Sequence, residues 1–472
     1  MHIVDYFVIA GYFALVMYLG YYSMKKVSNF DDYAVAGRSM PLPIFFAAIA
    51  ATLCGGGATI GRISFMHTTG IIVFFALTGV VINQIFSGLF ISGRVHNAGK
   101  NVYSLGDLYG IYYGRSGRLL SSVFGFLFCV GAFGVQILAM GAILQTATGI
   151  SLIPAALIAS IVTLAYTWSG GILAVTLTDA VQYVIIVIGV TLCAYLAIDH
   201  LDAMMSILYS NPRFETNMKP LANWSLVQFL GLFFSFLLGE FCAPYYIQRY
   251  ASTKSAKDSK NGLLIFGVHW IFFMATTAAI GLASMAIQPD VKPDLAFTNL
   301  IRDILPPGIT GLVFGALLAA VMSTGAAMIN TSAVIYTRDI YNKFINTAAT
   351  QAQLLRQSRL STLVVGGISI GVAIIFQDVF GLMIYMFKLW PSAILPPLMC
   401  GLLWGKISPY AGAPAVIAGG LSFFLWSDKV LGEPFGIPAN FIGIGMNCLV
   451  LFFVHQKMKG HKPEGPFLPD LN

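Results

Sequence analysis

The chain runs to 472 residues, 57% of them hydrophobic and 10% charged, with a formal net charge of +7 at pH 7. That leaves too little polar surface to clothe a water-soluble globule, so the expected class is an all-α integral membrane protein with the bilayer as its solvent. The basic excess would suit a nucleic-acid partner on a soluble protein, but it loses that meaning where the basic side chains lie in short loops on one membrane face.

Apolar runs of about 20 residues, long enough to cross a bilayer, recur from one end to the other and leave no room for a large soluble domain. In chain order they predict about thirteen helices, at approximately 3–22, 42–66, 70–93, 119–148, 152–168, 174–198, 225–247, 262–287, 308–336, 359–377, 380–404, 410–427 and 437–455. The first, Ile3 to Tyr22, is too long for a signal-peptide core, has no basic leader and no small-residue cleavage site, and reads as a span. The second is interrupted by Gly55, Gly56 and Gly57 and carries Arg62; the seventh carries Gly239, Glu240 and Pro244. These interruptions are five spans apart. Because five is odd, a broken helix opening each of two five-span halves of opposite orientation is the signature of an inverted-repeat transporter. In such folds the unwound backbone lines a cavity at mid-membrane, where its carbonyl and amide groups meet ions and solute. The chain then reads as one transport domain, with repeats at approximately 42–198 and 225–404 and peripheral helices at 3–22, 410–427 and 437–455. The 6 cysteines all fall in apolar runs without metal-like spacing, which argues for packing and against a disulfide framework or a zinc site.

An odd number of spans puts the termini on opposite sides, and the alternate loops sort cleanly. The set sharing the C-terminal side holds most of the 26 basic residues, from Lys25, Lys26 and Arg38 through Arg115, Arg118, Arg249 and Arg338 to Lys457, Lys459 and Lys462. The opposite loops, including the longest from about Asp199 to Asn223, hold Arg213, Lys219, Lys292, Arg302 and Lys429. The positive-inside rule then makes the C-terminus cytoplasmic and the N-terminus external. Arg62 and Lys388 are left within spans.

Five stretches, in order along almost the whole chain, resemble the sodium:solute symporter family: DDYAVAGRSMPLP (Asp31 to Pro43), YTWSGGILAVTLTDAVQ (Tyr166 to Gln182), PYYIQRYAST (Pro244 to Thr253), LLAAVMSTGAAMINTSAVIYTRDIY (Leu317 to Tyr341) and LPPLMCGLLWGKISPYAGA (Leu395 to Ala413). The resemblance implies a LeuT-type 5+5 inverted repeat, here spans two to eleven, with one extra helix before and two after. It also implies a multi-pass cell (plasma or inner) membrane protein and sodium-driven import by alternating access. It further implies a structural sodium ion between the first and eighth core helices, held by the carbonyls of Ala51, Cys54 and Ala320 and the hydroxyls of Ser323 and Thr324. The chemistry agrees, because a hard cation wants about five oxygens, and two adjacent hydroxyls facing an unwound carbonyl strand supply them without a buried carboxylate. Read from spacing alone, the same hydroxyls equally suit bonds to carbonyls one turn back. Some family members hold a second sodium through serines one turn along and the aspartate of the TD signature. Here those serine positions are Ala326 and Ala327, which offer no side-chain oxygen, so one sodium per solute is expected. Asp179 is left either to assist ion release at the cytoplasmic face or, with Thr178, to cap the sixth span.

Arg62, Glu240 and Lys388 lie in spans that match the first, sixth and tenth core helices, and a charge near the bilayer centre costs about 2.5–3.5 kcal/mol on insertion scales. Each is therefore a candidate solute-binding residue, together with Gly55, Gly56, Gly57 and Gln136. Arg62 suits a solute carboxylate through its two-pronged guanidinium, or an external gate closed by pairing with an acid, or outward snorkelling. Glu240 suits Arg62, a cationic solute group, or a structural ion pair with Lys388 or a loop base. Gln136 suits the solute or an interhelical bond. The expected function is sodium-coupled import of a small polar solute bearing a carboxylate, an organic anion or an amino acid. The alternatives are a proton-coupled carrier of the same fold and a sodium-coupled carrier of a neutral solute such as a sugar. A membrane-embedded enzyme would need a nucleophile with a base, or a metal cluster; His67 has no partner visible in the sequence and the other histidines are scattered. The expected partners are sodium, the solute and lipid, with no nucleic acid and no obligate protein partner.

Overall fold

The computed structural model describes residues 1–198, 224–376 and 379–468. The longest loop, with Arg213 and Lys219, lies outside the described residues. Elsewhere the chain is helical, apart from short connections and one isolated backbone bridge between Met40 and Thr253.

Helix α1 (Ile3–Met24) crosses first, and the short α2 (Phe30–Val35) leads to α3 (Leu42–Leu53). Cys54 and the glycines end α3, since glycine combines the weakest helix propensity after proline with the largest loss of backbone freedom. The chain resumes as a wide π-helical turn over Gly57–Gly61 and then as α4 (Arg62–Thr69), bent by 57° from α3. Next come α5 (Ile72–Phe86), α6 (Ser92–Asn97), α7 (Leu105–Thr148) and α8 (Leu152–Ile198). As one straight rod α8 would be about 70 Å long, more than twice the hydrocarbon thickness. Gly171, at φ 53° and ψ −144°, breaks it into two segments. The second interruption separates α9 (Leu226–Gly239) from α10 (Pro244–Ser252), with Pro244 in the first turn where its missing N–H costs nothing.

The rest of the chain supplies α11 (Ala256–Ile287), α12 (Ala296–Ile304), α13 (Ile309–Ile335), α14 (Gln351–Phe376), α15 (Val379–Ala393), α16 (Leu395–Trp404), α17 (Gly412–Trp426) and α18 (Ala439–Lys457). α15 and α16 meet at a 49° bend just after Pro391. Among the described residues ten helices are long and apolar enough to cross a membrane, or twelve with each bent pair counted as a span. α8, broken at Gly171, counts once in that number, against thirteen spans expected from the sequence.

Burial sorts the helices into layers. In the most apolar window of the segment that includes α13, 94% of residues are buried, and 89% in α7, against 28% in α1 and α18 and 33% in α14. α7 and α13 are thus the centre, and the other three face lipid. Even so, α1 is tied to the centre: Asp5 accepts the N–H of Gly308 at 2.7 Å and of Gly311 at 2.9 Å, capping the start of α13. At the opposite end Arg118 lies 2.6 Å from Asp107 and 3.0 Å from Asp339, all three buried, and Arg338 joins Asp107 at 3.4 Å. This corrects the loop assignment of Arg118. Its helix begins at Leu105, ahead of the apolar run, because paired carboxylates let charged residues enter the protein interior.

Candidate functional site

The two interruptions face the central helices. Opposite the end of α3, Ser323 Oγ lies 2.9 Å from the Ala51 carbonyl and 2.8 Å from that of Ala320. Thr324 Oγ1 donates to the Thr52 carbonyl at 2.5 Å and the Ala320 carbonyl at 3.1 Å. Two hydroxyls and three carbonyls therefore converge, all on buried residues. Ala51, Ala320, Ser323 and Thr324 were expected in this set. Thr52 was not, and its carbonyl joins because α3 carries it toward α13. Cys54, the fifth expected residue, is the C-cap of α3 at φ −75° and ψ 11°. The approach depends on Gly55, where a Cβ would sit 2.1 Å from Thr324 Oγ1 and 2.7 Å from Thr324 Cβ. Ala326 and Ala327 are buried one turn further along α13 and bring no side-chain oxygen.

Beyond the break lies a cavity of about 50 Å³, lined among others by Gly55, Gly57, Arg62, Gln136 and Glu240. Gln136 does two jobs there: its Oε1 accepts the Gly56 N–H at 2.7 Å, so it both lines the cavity and holds the opened strand. Arg62 is buried with its guanidinium 4.8 Å from the centre of the Trp270 ring, and its Nη1 has no hydrogen-bond partner. The ring holds the cation in place while leaving a donor free, a posture suited to an anionic group. Glu240 caps α9 at the second break. The rest of the lining includes thioethers and rings, Met328, Met383, Met386, Phe236 and Phe387, an adaptable apolar wall.

Lys388 does not join this cavity. Its Nζ pairs with Glu433 at 2.9 Å, both side chains being about a quarter exposed, so the partner considered for it, Glu240, is free of it. Asp179 lies inside α8 rather than at a helix start, and Thr178 bonds back to the Ala174 and Val175 carbonyls, so neither is a cap. Asp179 instead pairs with Arg249 at 2.7 Å, both buried, which removes Arg249 from the loops as well. His67 meets Ser284 Oγ at 3.2 Å.

Trp270 and Trp390 escaped the sequence reading. A signal existed, since tryptophan favours the membrane interfaces, whereas Trp270 sits midway along α11 and both rings are fully buried. Trp390 donates its Nε1–H to the Phe241 carbonyl at 2.8 Å, satisfying backbone freed by the second break. The lining methionines carried no comparable signal in so apolar a sequence.

A family model described as the sodium:solute symporter family matches residues 33–419. The osmoregulated proline transporter of Bacillus subtilis (strain 168) is 25% identical over 447 residues, covering 90% of this chain and 89% of that one. The sodium/proline symporter of Haemophilus influenzae is 25% identical, covering 96% and 94% respectively. The solved outward-open, substrate-bound state of a Na+-coupled sialic acid symporter superposes over 99% of this chain and 100% of that one, with a TM-score of 0.83 at 19% identity. At that identity the likeness is one of fold.

Proposed function

The chain belongs to the sodium:solute symporter family, and on that premise we propose that it imports a small zwitterionic amino acid together with one sodium ion. Membership makes it a multi-pass membrane transporter that couples sodium to a small solute, and not an enzyme. The solute reading rests on one observation: Arg62, with a free donor, and Glu240 line the same small cavity, whose remaining lining is largely apolar. That arrangement complements a carboxylate, an ammonium and a short hydrocarbon body. The named proline transporters among its relatives support the same class. The single-ion stoichiometry is supported by one convergent oxygen set and by Ala326 and Ala327 where a second would need hydroxyls. The external N-terminus and cytoplasmic C-terminus are supported by the loop bases that remain once Arg118 and Arg249 are set aside; cleavage of a C-terminal tag by external protease would reverse that orientation.

The mechanism follows from the same geometry. The Ala51, Thr52 and Ala320 carbonyls and the two hydroxyls would hold a sodium ion between α3 and α13, which would fix the opened strand and with it Gly55 and Gly57 in the cavity lining. Binding free energy is thereby spent on ordering the solute site, the coupling that makes two ligands cooperative. A cavity of about 50 Å³ holds only a few waters, so solute enters when the methionine wall and the broken helices move apart, and closing them seals it from the side it came from. The test is thermal stability of the purified protein with amino acids, organic anions, sugars and amines, each in sodium and in choline chloride. An amino acid that stabilises only with sodium is the expected result. Stabilisation by an organic anion lacking an amine, equal to that of its amino analogue, removes Glu240 from the solute site, and stabilisation indifferent to sodium removes the coupling.

A further inference from the structure

A second cavity, which shares no lining residue with the solute site, opens where α16 meets α18. It measures about 670 Å³, within the range of ligand pockets. Its wall is apolar and includes Met399, Trp404, Cys448 and Phe452, of which Trp404 and Phe452 are strongly exposed. Its rim is basic: Lys406 follows the end of α16, Lys459 follows the end of α18, and His455 stands beside them. His455 Nδ1 lies 3.1 Å from the Ser408 backbone N–H. That group can only donate, so the imidazole proton rests on Nε2 and is itself available to donate. The helical part of the wall, Leu395–Trp404, spans 10 residues, about 15 Å at the helical rise, which is the depth of one leaflet.

An apolar slot one leaflet deep, open toward lipid and closed at its polar end by two lysines and a donor, has the complementarity of a single class of molecule. We propose that this cavity is a binding site for one anionic phospholipid, its acyl chain along α16 and α18 and its phosphate between Lys406 and Lys459. Charge selects the occupant, since the slot without the lysines would accept any lipid, while a phosphate monoanion offsets part of the positive charge of a rim whose described lining residues include no carboxylate. The inference does not depend on the identity of the solute, because neither helix lines the cavity at the broken strands.

The experiment uses the full chain in detergent, titrated with phosphatidylglycerol, with phosphatidylcholine of the same chains, and with inorganic phosphate, and reads the melting temperature. Phosphatidylglycerol should stabilise beyond phosphatidylcholine, and inorganic phosphate should not. At about fivefold in affinity per lysine, K406Q/K459Q should bind phosphatidylglycerol about 30-fold more weakly. Both lysines are exposed, so the variant should keep its melting temperature in phosphatidylcholine, which separates a lost site from a lost fold. Equal effects of the two lipids, reproduction of the effect by inorganic phosphate, or retention of the phosphatidylglycerol increment by the double variant would each overturn the proposal. So would a lipid-independent dimer that the double variant dissociates, because the lysines would then belong to a subunit contact. Two lysines that merely complement the negative ends of their helices give the first of these outcomes.

Discussion

Replacing Gly55 with alanine should cost the transporter its sodium affinity before it costs the fold. An added Cβ would lie 2.1 Å from Thr324 Oγ1, 2.7 Å from its Cβ and 2.9 Å from its Cγ2. Rotating the threonine leaves its own Cβ in the way, so relief requires α3 and α13 to separate. Taking the hydroxyl from 2.1 Å to the 3.4 Å at which ordinary contact begins is a retreat of about 1.3 Å. A hard cation keeps its oxygens at about 2.3–2.6 Å, so a ligand withdrawn that far no longer coordinates. Valuing the lost contact as a hydrogen bond to a charged group, about 1.5–3 kcal/mol, gives a sodium affinity weaker by roughly 10- to 150-fold. Overpacking itself should cost about 1–3 kcal/mol of stability. The assay is the sodium concentration at half-maximal thermal stabilisation, which needs no solute. Thr324→Ala should shift that midpoint alone, and Gly55→Ala placed on top of it should add little to the sodium effect, since the ligand is already gone. A folded Gly55→Ala protein with the parental midpoint would refute the ion site at this break.

Four further outcomes follow. Arg62→Ala should weaken solute binding at equilibrium by roughly 10- to 100-fold, the worth of a charged hydrogen-bonded pair, and Arg62→Lys should not restore it, because an ammonium lacks both the fork and the flat face that lies over Trp270; retained affinity with a changed transport rate would make Arg62 a gate instead. Lys388→Gln should leave solute affinity intact and cost at most about 1 kcal/mol, as befits a partly exposed pair with Glu433, and a loss of affinity would bring it back into the site. Asp179→Ala strands a buried Arg249, so denaturation should show a loss of about 3–5 kcal/mol, largely recovered in Asp179→Ala/Arg249→Met; an unaffected single variant would mean that the pair is solvated. Asp5→Ala removes the acceptor for two N–H groups at the start of α13 and should cost about 1–2 kcal/mol without moving the sodium midpoint, which a sodium titration of the variant checks.

The sequence carried the outline. Composition alone dictated a bilayer solvent, apolar run lengths gave the helices, and the glycine triplet and the Glu240 to Pro244 stretch located both breaks, because glycine and proline act on the backbone locally. Ser323 and Thr324 stood out only through the family resemblance, because their spacing equally suits bonds to carbonyls one turn back and the same helix carries other side-chain oxygens at Thr310, Asn330, Thr331 and Ser332. Arg118 and Arg249 were misread as loop bases, since a buried arginine paired across more than 200 residues with Asp339, or across 70 with Asp179, looks like a loop base until its carboxylate is found.

What the tertiary structure decided is which side of each helix meets which neighbour. In water an amphipathic stripe announces the buried face of a helix, but lipid is as apolar as a protein core, and helices such as α7 and α13 show no single polar stripe. Nothing local could therefore say that Trp270 would lie over Arg62, that Met383 and Met386 would wall the cavity, or that Lys388 would turn from Glu240 to Glu433. The sequence determined where the backbone opens and which atoms it exposes; only the packing of helices in three dimensions determined what those atoms face.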